Sequence, residues 1–385
     1  MHLALDHDYL VSTLVDLVRI DSVNPSLVPG GAGEAEIAGY VSGAMEQLGL
    51  RVARHEPEPG RPSVVGVLPG KGGGRSLMFN AHYDTVGVAE MDDPFAAMIE
   101  EGRLYGRGAY DMKGSLAAQM AAAKALLDAG VALAGDLLVA AVADEEYASI
   151  GTADLLQHYR PHGAVVTEPT ALRVCRAHKG FVWLQVDTFG RAAHGSRFDL
   201  GVDANMRMGR VLAELERLEQ ALRAQPGHPL VGPPSLHAAT LHGGSELSMY
   251  AARCRLGVER RTIPGETAAQ VEAELQAILD RLADADPTFT ASLETLLVRE
   301  PFAVAADAAI VQVVDQATAR VVGQQRPHIG DTPWMDSALL AAAGTETVVI
   351  GPAGGGAHAA EEWVELDSVH DLAHILALTA VSYCD

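Results

Sequence analysis

The chain is short of cysteine, of positive charge and of long apolar runs. Cys175, Cys254 and Cys384 are the only cysteines in 385 residues. They are too few and too far apart for a disulfide framework or a cysteine-built zinc site, so a reducing, cytoplasmic compartment is expected. Lys and Arg number 28 against 50 Asp and Glu, a formal charge of −22. That balance disfavours nucleic acid or an anionic membrane surface as a partner. No window approaches 18 uninterrupted apolar residues, so no membrane span is expected. The opening MHLALDHDYL carries Asp6 and Asp8 where a secretory leader needs a positive start and an apolar core. There is no repeat and no low-complexity tract. Apolar residues are abundant, at 48%, and the length suits a large core and two domains.

Periodicity outlines those domains. Helical spacing is expected over 8–20 and 34–48, with Gly49 as a stop. Apolar runs at 63–69, 76–82, 136–144 and 163–168 read as buried strands, with an Ala-rich helix over 115–129 among them. The alternation predicts an α/β fold with an open, mostly parallel sheet, whose ligands gather at the carboxyl ends of strands. After Glu168 the rhythm changes. Extended segments at 173–189, 236–244, 253–261 and 289–300 and helices at 203–222 and 268–283 follow the order β-α-β-β-α-β. That is the ferredoxin-like α+β pattern. The α/β pattern resumes with helices at 305–322, 335–343 and 367–382 and a strand at 345–351. The expected division is a catalytic domain in two parts, 1–174 and 299–385, interrupted by a smaller domain over 175–298.

Acids and histidines then stand out in five short clusters: His82-Tyr83-Asp84, Asp111 in GRGAYDMKGS, Glu145-Glu146 in ADEEY, Glu168 in VVTEP, and His358 in GGGAHAAEEW. Each sits where an apolar run ends or a Gly-rich turn begins. Taken singly, each has an ordinary reading: a strand-end His, a helix-capping Asp, a solvated acid pair, a lone acid, an exposed loop His. Together they suit a two-metal site that activates water. A neutral imidazole binds metal through one nitrogen while a carboxylate such as Asp84 takes the other proton. Asp111 can bridge two cations with its two oxygens. Of the adjacent Glu145 and Glu146, one can bind metal while the other accepts a proton from water. GRGAYDMKGS lacks the GxxxxGK[ST] spacing of a phosphate loop.

The stretches NAHYDTV, YGRGAYDMKGSLAA, ADEEYASIGTADLL, VVTEPT, GRAAHGSRFDLGVDA, ERRTIPGE and GAHAAEEWV resemble the co-catalytic zinc deacylases and exopeptidases. That family includes acetylornithine deacetylase, succinyl-diaminopimelate desuccinylase, aminoacylase and carboxypeptidase G. The resemblance runs from about residue 60 to residue 370. It implies two zinc ions, with cobalt or manganese as substitutes. It implies His82 and Glu168 on one metal, Glu146 and His358 on the other, and Asp111 between them. Asp84 would orient His82, Glu145 would be the general base, and the peptide after Asp111 would be cis. His194 would support the oxyanion, from a partner subunit, and Arg261 would meet a substrate carboxylate. The inserted domain would serve as lid and dimerisation surface of a homodimer. One departure falls at GGSELSMYA, where Ser248 and Ala251 replace the family's asparagine and proline. It leaves Ser248 a candidate substrate contact and the substrate itself open.

The implied activity is hydrolysis of the amide of an N-acyl amino acid, most like acetylornithine deacetylase. Dipeptidase, carboxypeptidase-type exopeptidase or desuccinylase activity is the alternative. A non-catalytic binding relative would have lost Glu145 or a ligand, and all are present. A purely structural dimerisation protein would not account for the acids.

Overall fold

The structure, a computed structural model, describes residues 3–385; Met1 and His2 of the N-terminal stretch lie outside the described residues. The described residues form two compact units, one of residues 3–176, 304–329 and 335–385, the other of 177–303 and 330–334.

The first unit opens with α1 (His7–Arg19) and α2 (Ala35–Gln47). Asp6 caps α1 by accepting the Tyr9 amide at 3.0 Å. Then come β1 (Arg51–His55), β2 (Ser63–Leu68), β3 (Leu77–His82), β4 (Met98–Glu100), β5 (Arg103–Tyr105), α3 (Gly114–Asp128), β6 (Leu137–Val142), α4 (Ile150–His158), β7 (Gly163–Val166) and β8 (Cys175–His178, with Ala177 and His178 assigned to the second unit). The main sheet runs β1-β2-β6-β3-β7, continued by a later strand and β8.

The second unit begins with β9 (Gly180–Phe189) and continues with α5 (Ala204–Arg223), β10 (Ser235–Gly243), β11 (Arg253–Thr262), α6 (Ala268–Ala285), β12 (Thr290–Arg299) and β13 (Phe302–Ala303). Its sheet has the antiparallel order β10-β11-β9-β12. One face of α5 supplies Met208, Val211, Leu215 and Leu222 and one face of α6 supplies Val271, Leu275 and Ile278 to a separate apolar core. A capping box between Thr267 and Gln270 starts α6.

The chain returns to the first unit with α7 (Ala309–Val322), β14 (Ile329–Asp331, with Gly330 and Asp331 assigned to the second unit), α8 (Ser337–Ala342), β15 (Glu346–Val349), β16 (Gly354–Gly355), β17 (Trp363–Glu365) and α9 (Leu366–Tyr383). Strand β15 lies between β7 and β8. A small sheet of order β16-β17-β5-β4 stands apart from the main one.

The expectation of a mostly parallel sheet is refined to a mixed one. Strands β6, β3, β7 and β15 are parallel, while β1, β2 and β8 run against their neighbours. The parallel centre is buried on both faces: all six residues of β3 and of β6 are buried. Helix α3 is buried almost all round, as an Ala-rich helix in the middle of a domain must be, and packs on α1 and α9. None of the helices among the described residues is long and apolar enough to cross a membrane.

Candidate metal centre

Register builds the site. His82 ends β3 opposite Val142, the last residue of β6, and Asn80 lies opposite Val166, the last of β7. Three parallel strands therefore release their chains at one level, and the residues beyond them face one place. His82 is the last residue of its strand, Glu145 and Glu146 follow β6, and Glu168 follows β7. Asp111 lies in a wide turn over Ala109–Lys113, ahead of α3, with a cis peptide between Asp111 and Met112. It is not a helix cap: α3 starts at Gly114 with no side-chain cap. His358 lies in the turn between β16 and β17. Gly356 makes that turn possible, since its φ is +79° and an added Cβ would overlap the Glu361 carbonyl.

These residues form two trios that share Asp111: His82, Asp111 and Glu168, and Asp111, Glu146 and His358. In the first, Nε2 of His82 is 3.0 Å from Asp111 Oδ1 and 3.7 Å from Glu168 Oε1. In the second, Nε2 of His358 is 3.4 Å from Asp111 Oδ2 and 3.0 Å from Glu146 Oε2. One carboxylate thus turns a different oxygen to each histidine. Donors around a tetrahedral zinc, with bonds of about 2.0–2.1 Å, stand about 3.4 Å apart. The four distances bracket that value. Imidazole nitrogen with carboxylate oxygen, and no sulfur, suits zinc and also cobalt or manganese. The residues present fit a pair of divalent cations. Glu146, rather than Glu145, occupies the second trio.

The surroundings hold the donors in place. Nδ1 of His82 lies 3.0 Å from the Asp84 carbonyl oxygen, which can only accept. One proton therefore sits on Nδ1, and Nε2 is the nitrogen turned to Asp111. The Asp84 carboxylate, expected on that same nitrogen, stands further off at 3.7 Å. Its oxygens accept the main-chain N–H groups of Glu145 at 3.0 Å and Glu146 at 3.3 Å, and the Asn24 amide at 2.8 Å. So Asp84 positions the His82 ring and the two-glutamate loop at once. Asn24 also donates to Asp144 at 3.0 Å. Arg61 then joins Asp144 at 2.7 Å and Glu34 at 2.5 Å in a buried cluster.

Glu362 does the same for the Asp111 turn. Its carboxylate accepts from Arg107 at 2.7 Å and from the main-chain N–H groups of Gly108, Tyr110 and Asp111 at 3.1, 2.9 and 3.0 Å. Asp336, buried at the start of α8, accepts from the Thr152 hydroxyl at 2.5 Å, and Thr152 in turn accepts from Asn80. The sequence reading passed over Asn24, Glu34, Arg61, Asp144, Asp336 and Glu362. Only Glu362 carried a local signal, as the second acid of the AEEW that follows His358.

The electrostatics are those of crowded acid. Burial, and then the Glu168 carboxylate, push Glu145 well above the ordinary glutamate range. Burial, and then Asp111, raise Glu146 to about 7. Burial raises Glu168 as well. Burial would raise Asp111 too, but hydrogen bonds from His358 and His82 override it and hold its carboxyl below the usual range. Hydrogen bonding to Asp111 and then Glu146 lifts His358 to about 10. The carboxylates thus retain protons or recruit imidazolium for want of other positive charge, which is what a cation pair supplies.

The remaining expected residues lie in the second unit. His194 is exposed, with Nδ1 2.8 Å from the Ser196 hydroxyl. Ser248 is exposed beside it, its carbonyl accepting the Gly195 amide at 2.7 Å. Arg261, at the end of β11, donates to Glu259 at 2.7 Å and lies over the Phe181 ring.

A donor set of this kind, at the carboxyl ends of an α/β sheet, defines a hydrolase whose chemistry is organised around metal. The chain belongs to peptidase family M20/M25/M40, whose family model matches residues 78–382, and it is a hydrolytic enzyme acting on amide bonds. It is 29% identical to the acetylornithine deacetylase of Myxococcus xanthus over 391 aligned positions, 97% of each chain. It is 30% identical to the N-formyl-4-amino-5-aminomethyl-2-methylpyrimidine deformylase of Bacillus subtilis, over 65% of this chain and 63% of that one. Among solved structures, a tripeptidase from Staphylococcus aureus superposes with a TM-score of 0.81 at 18% identity, covering 99% of both chains. A dinuclear metal-binding peptidase from Bacillus subtilis superposes with a TM-score of 0.77 at 14% identity, covering 98% of both.

Proposed function

We propose that the chain is a two-metal amidohydrolase that cleaves the amide of an N-acyl amino acid, most like acetylornithine deacetylase. The observation that carries this reading is the shared Asp111, whose two oxygens face His82 on one side and His358 on the other. The end-to-end likeness to an acetylornithine deacetylase supports the substrate class. Zinc is the first choice of metal, with cobalt or manganese able to replace it.

Bound there, the cations supply Lewis acidity and lower the pKa of water. Glu145 takes the proton of the attacking water and passes it to the leaving amine. Its loop is fixed through Asp84, so the base is held at a set distance from the donors. His82 and Glu168 bind on one side of Asp111, Glu146 and His358 on the other. His194 supports the developing oxyanion, and Arg261 meets the substrate carboxylate with its forked donors. Ser248 contributes a polar substrate contact. The second unit is the dimerisation surface of a homodimer, a reading supported by the exposed edge strand β10, with Leu241 open to solvent.

Replacing Glu145 by Gln keeps both trios and removes the base. The expected result is unchanged metal content with turnover lower by about 10²–10⁴-fold. Full activity in that variant would rule out the base assignment. A panel of N-acetylornithine, N-succinyl-diaminopimelate, a formylated aminopyrimidine and small di- and tripeptides fixes the substrate. Turnover on peptides alone would replace the deacylase reading with an exopeptidase one.

A further inference from the structure

A third group of donors lies away from this centre, at the outer edge of the main sheet. Its members are His55, the last residue of edge strand β1, and Asp154 and His158 on α4. We propose that His55, Asp154 and His158 form a peripheral site for a divalent transition-metal ion that ties α4 to β1. One donor atom from each residue lies within 4.8 Å of the others. The four-residue spacing of Asp154 and His158 puts them on one helical face, with Oδ1 and Nε2 already 3.7 Å apart. The His55 ring lies against the His158 ring at a centroid distance of 4.6 Å.

The details favour an ion of a particular class. The Tyr159 hydroxyl sits 3.0 Å from Nε2 of His55; with Nε2–H donating to that hydroxyl, Nδ1 carries the lone pair an ion needs. Such an outer partner is the usual support of a metal-ligating histidine. Burial, and then the facing His158, lower the pKa of His55, which keeps it in the neutral form that binds metal. Two imidazoles and one carboxylate select zinc, copper or nickel over magnesium or calcium. Closing donors from no more than 4.8 Å to the tetrahedral spacing of about 3.4 Å takes a modest side-chain rotation, and the half-exposed His158 can make it. Helix α4 directly follows the Asp144–Ser149 turn that carries Glu145 and Glu146. An ion here therefore braces the helix behind the proposed base without touching substrate.

The test is a calorimetric titration of zinc into protein whose active-site metals are already saturated. The result expected is one further equivalent per chain. His158→Ala and Asp154→Asn should weaken it at least tenfold without changing turnover. His370→Ala, in the separate histidine group with His7 and His374, should leave it intact. Magnesium should give no binding at this step. A wild-type chain that takes up no further equivalent, or a His158→Ala chain that binds it with wild-type affinity, overturns the proposal. So does loss of the equivalent in His370→Ala alone, or competition by magnesium. The count is independent of which amide the enzyme cleaves.

Discussion

Glu145 and Glu362 show how differently two buried acids serve one site. Burial and the neighbouring Glu168 carboxylate hold the pKa of Glu145 above the ordinary glutamate range in the metal-free site. A base works only when deprotonated, so a raised pKa moves the acid limb of kcat/KM upward. Activity should fall as pH drops through the titration of Glu145, and that limb should vanish from the residual activity of Glu145→Gln. An acid limb that persists unchanged in Glu145→Gln would contradict the assignment. Glu362 reaches the site through the main-chain N–H groups of Gly108, Tyr110 and Asp111, with the Arg107 guanidinium as its counter-ion. Glu362→Ala should therefore lower metal affinity by about 10–100-fold, the usual effect of losing an outer-shell partner. Competition with a chromophoric chelator measures it, and wild-type affinity would remove Glu362 from the site's support.

Among the elements, the long and strongly patterned ones were legible and the short ones were not. Strand β3, α3, α5 and α6 follow from apolar runs and helical spacing to within a residue or two. Strand direction was hidden. Strands β2 and β6 are both apolar, and a buried run reads alike whether its neighbour is parallel or antiparallel. Strands β4, β5, β16 and β17 are two or three residues each, too short for any period, yet they form the sheet beside the His358 turn. Helix α4 is nine residues with no clear apolar stripe. The donor types were legible because strand ends announce themselves. Their supports were not, because Asn24 meets Asp84 across 60 residues of chain and Arg61 meets Asp144 across 83. The Arg61 cluster makes a prediction at this scale. Arg61→Met leaves Glu34 and Asp144 buried without their cation, which should cost about 3–5 kcal/mol. Urea unfolding followed by a probe in the first unit checks it, and a loss below about 1 kcal/mol would show that the pair is not buried in solution.

The whole molecule divides its labour between two apolar cores. One lies under the site, between the main sheet and α1, α3, α7 and α9, and the other lies beneath the β9–β12 sheet. The crowded acids lie in the first unit. Stripping metal should therefore speed amide hydrogen exchange in the turns after β3, β6 and β7, while the core strands β9 and β11 keep their protection. Uniform loss of protection over both units would contradict that division. The central claim is that His82, Asp111, Glu146, Glu168 and His358 converge on two cations. Anomalous diffraction at the zinc edge, from crystals grown with saturating zinc, tests it most directly. The account predicts two peaks roughly 3.5–4 Å apart, one on each side of the Asp111 carboxylate. A single peak there, or zinc bound only away from Asp111, would contradict it.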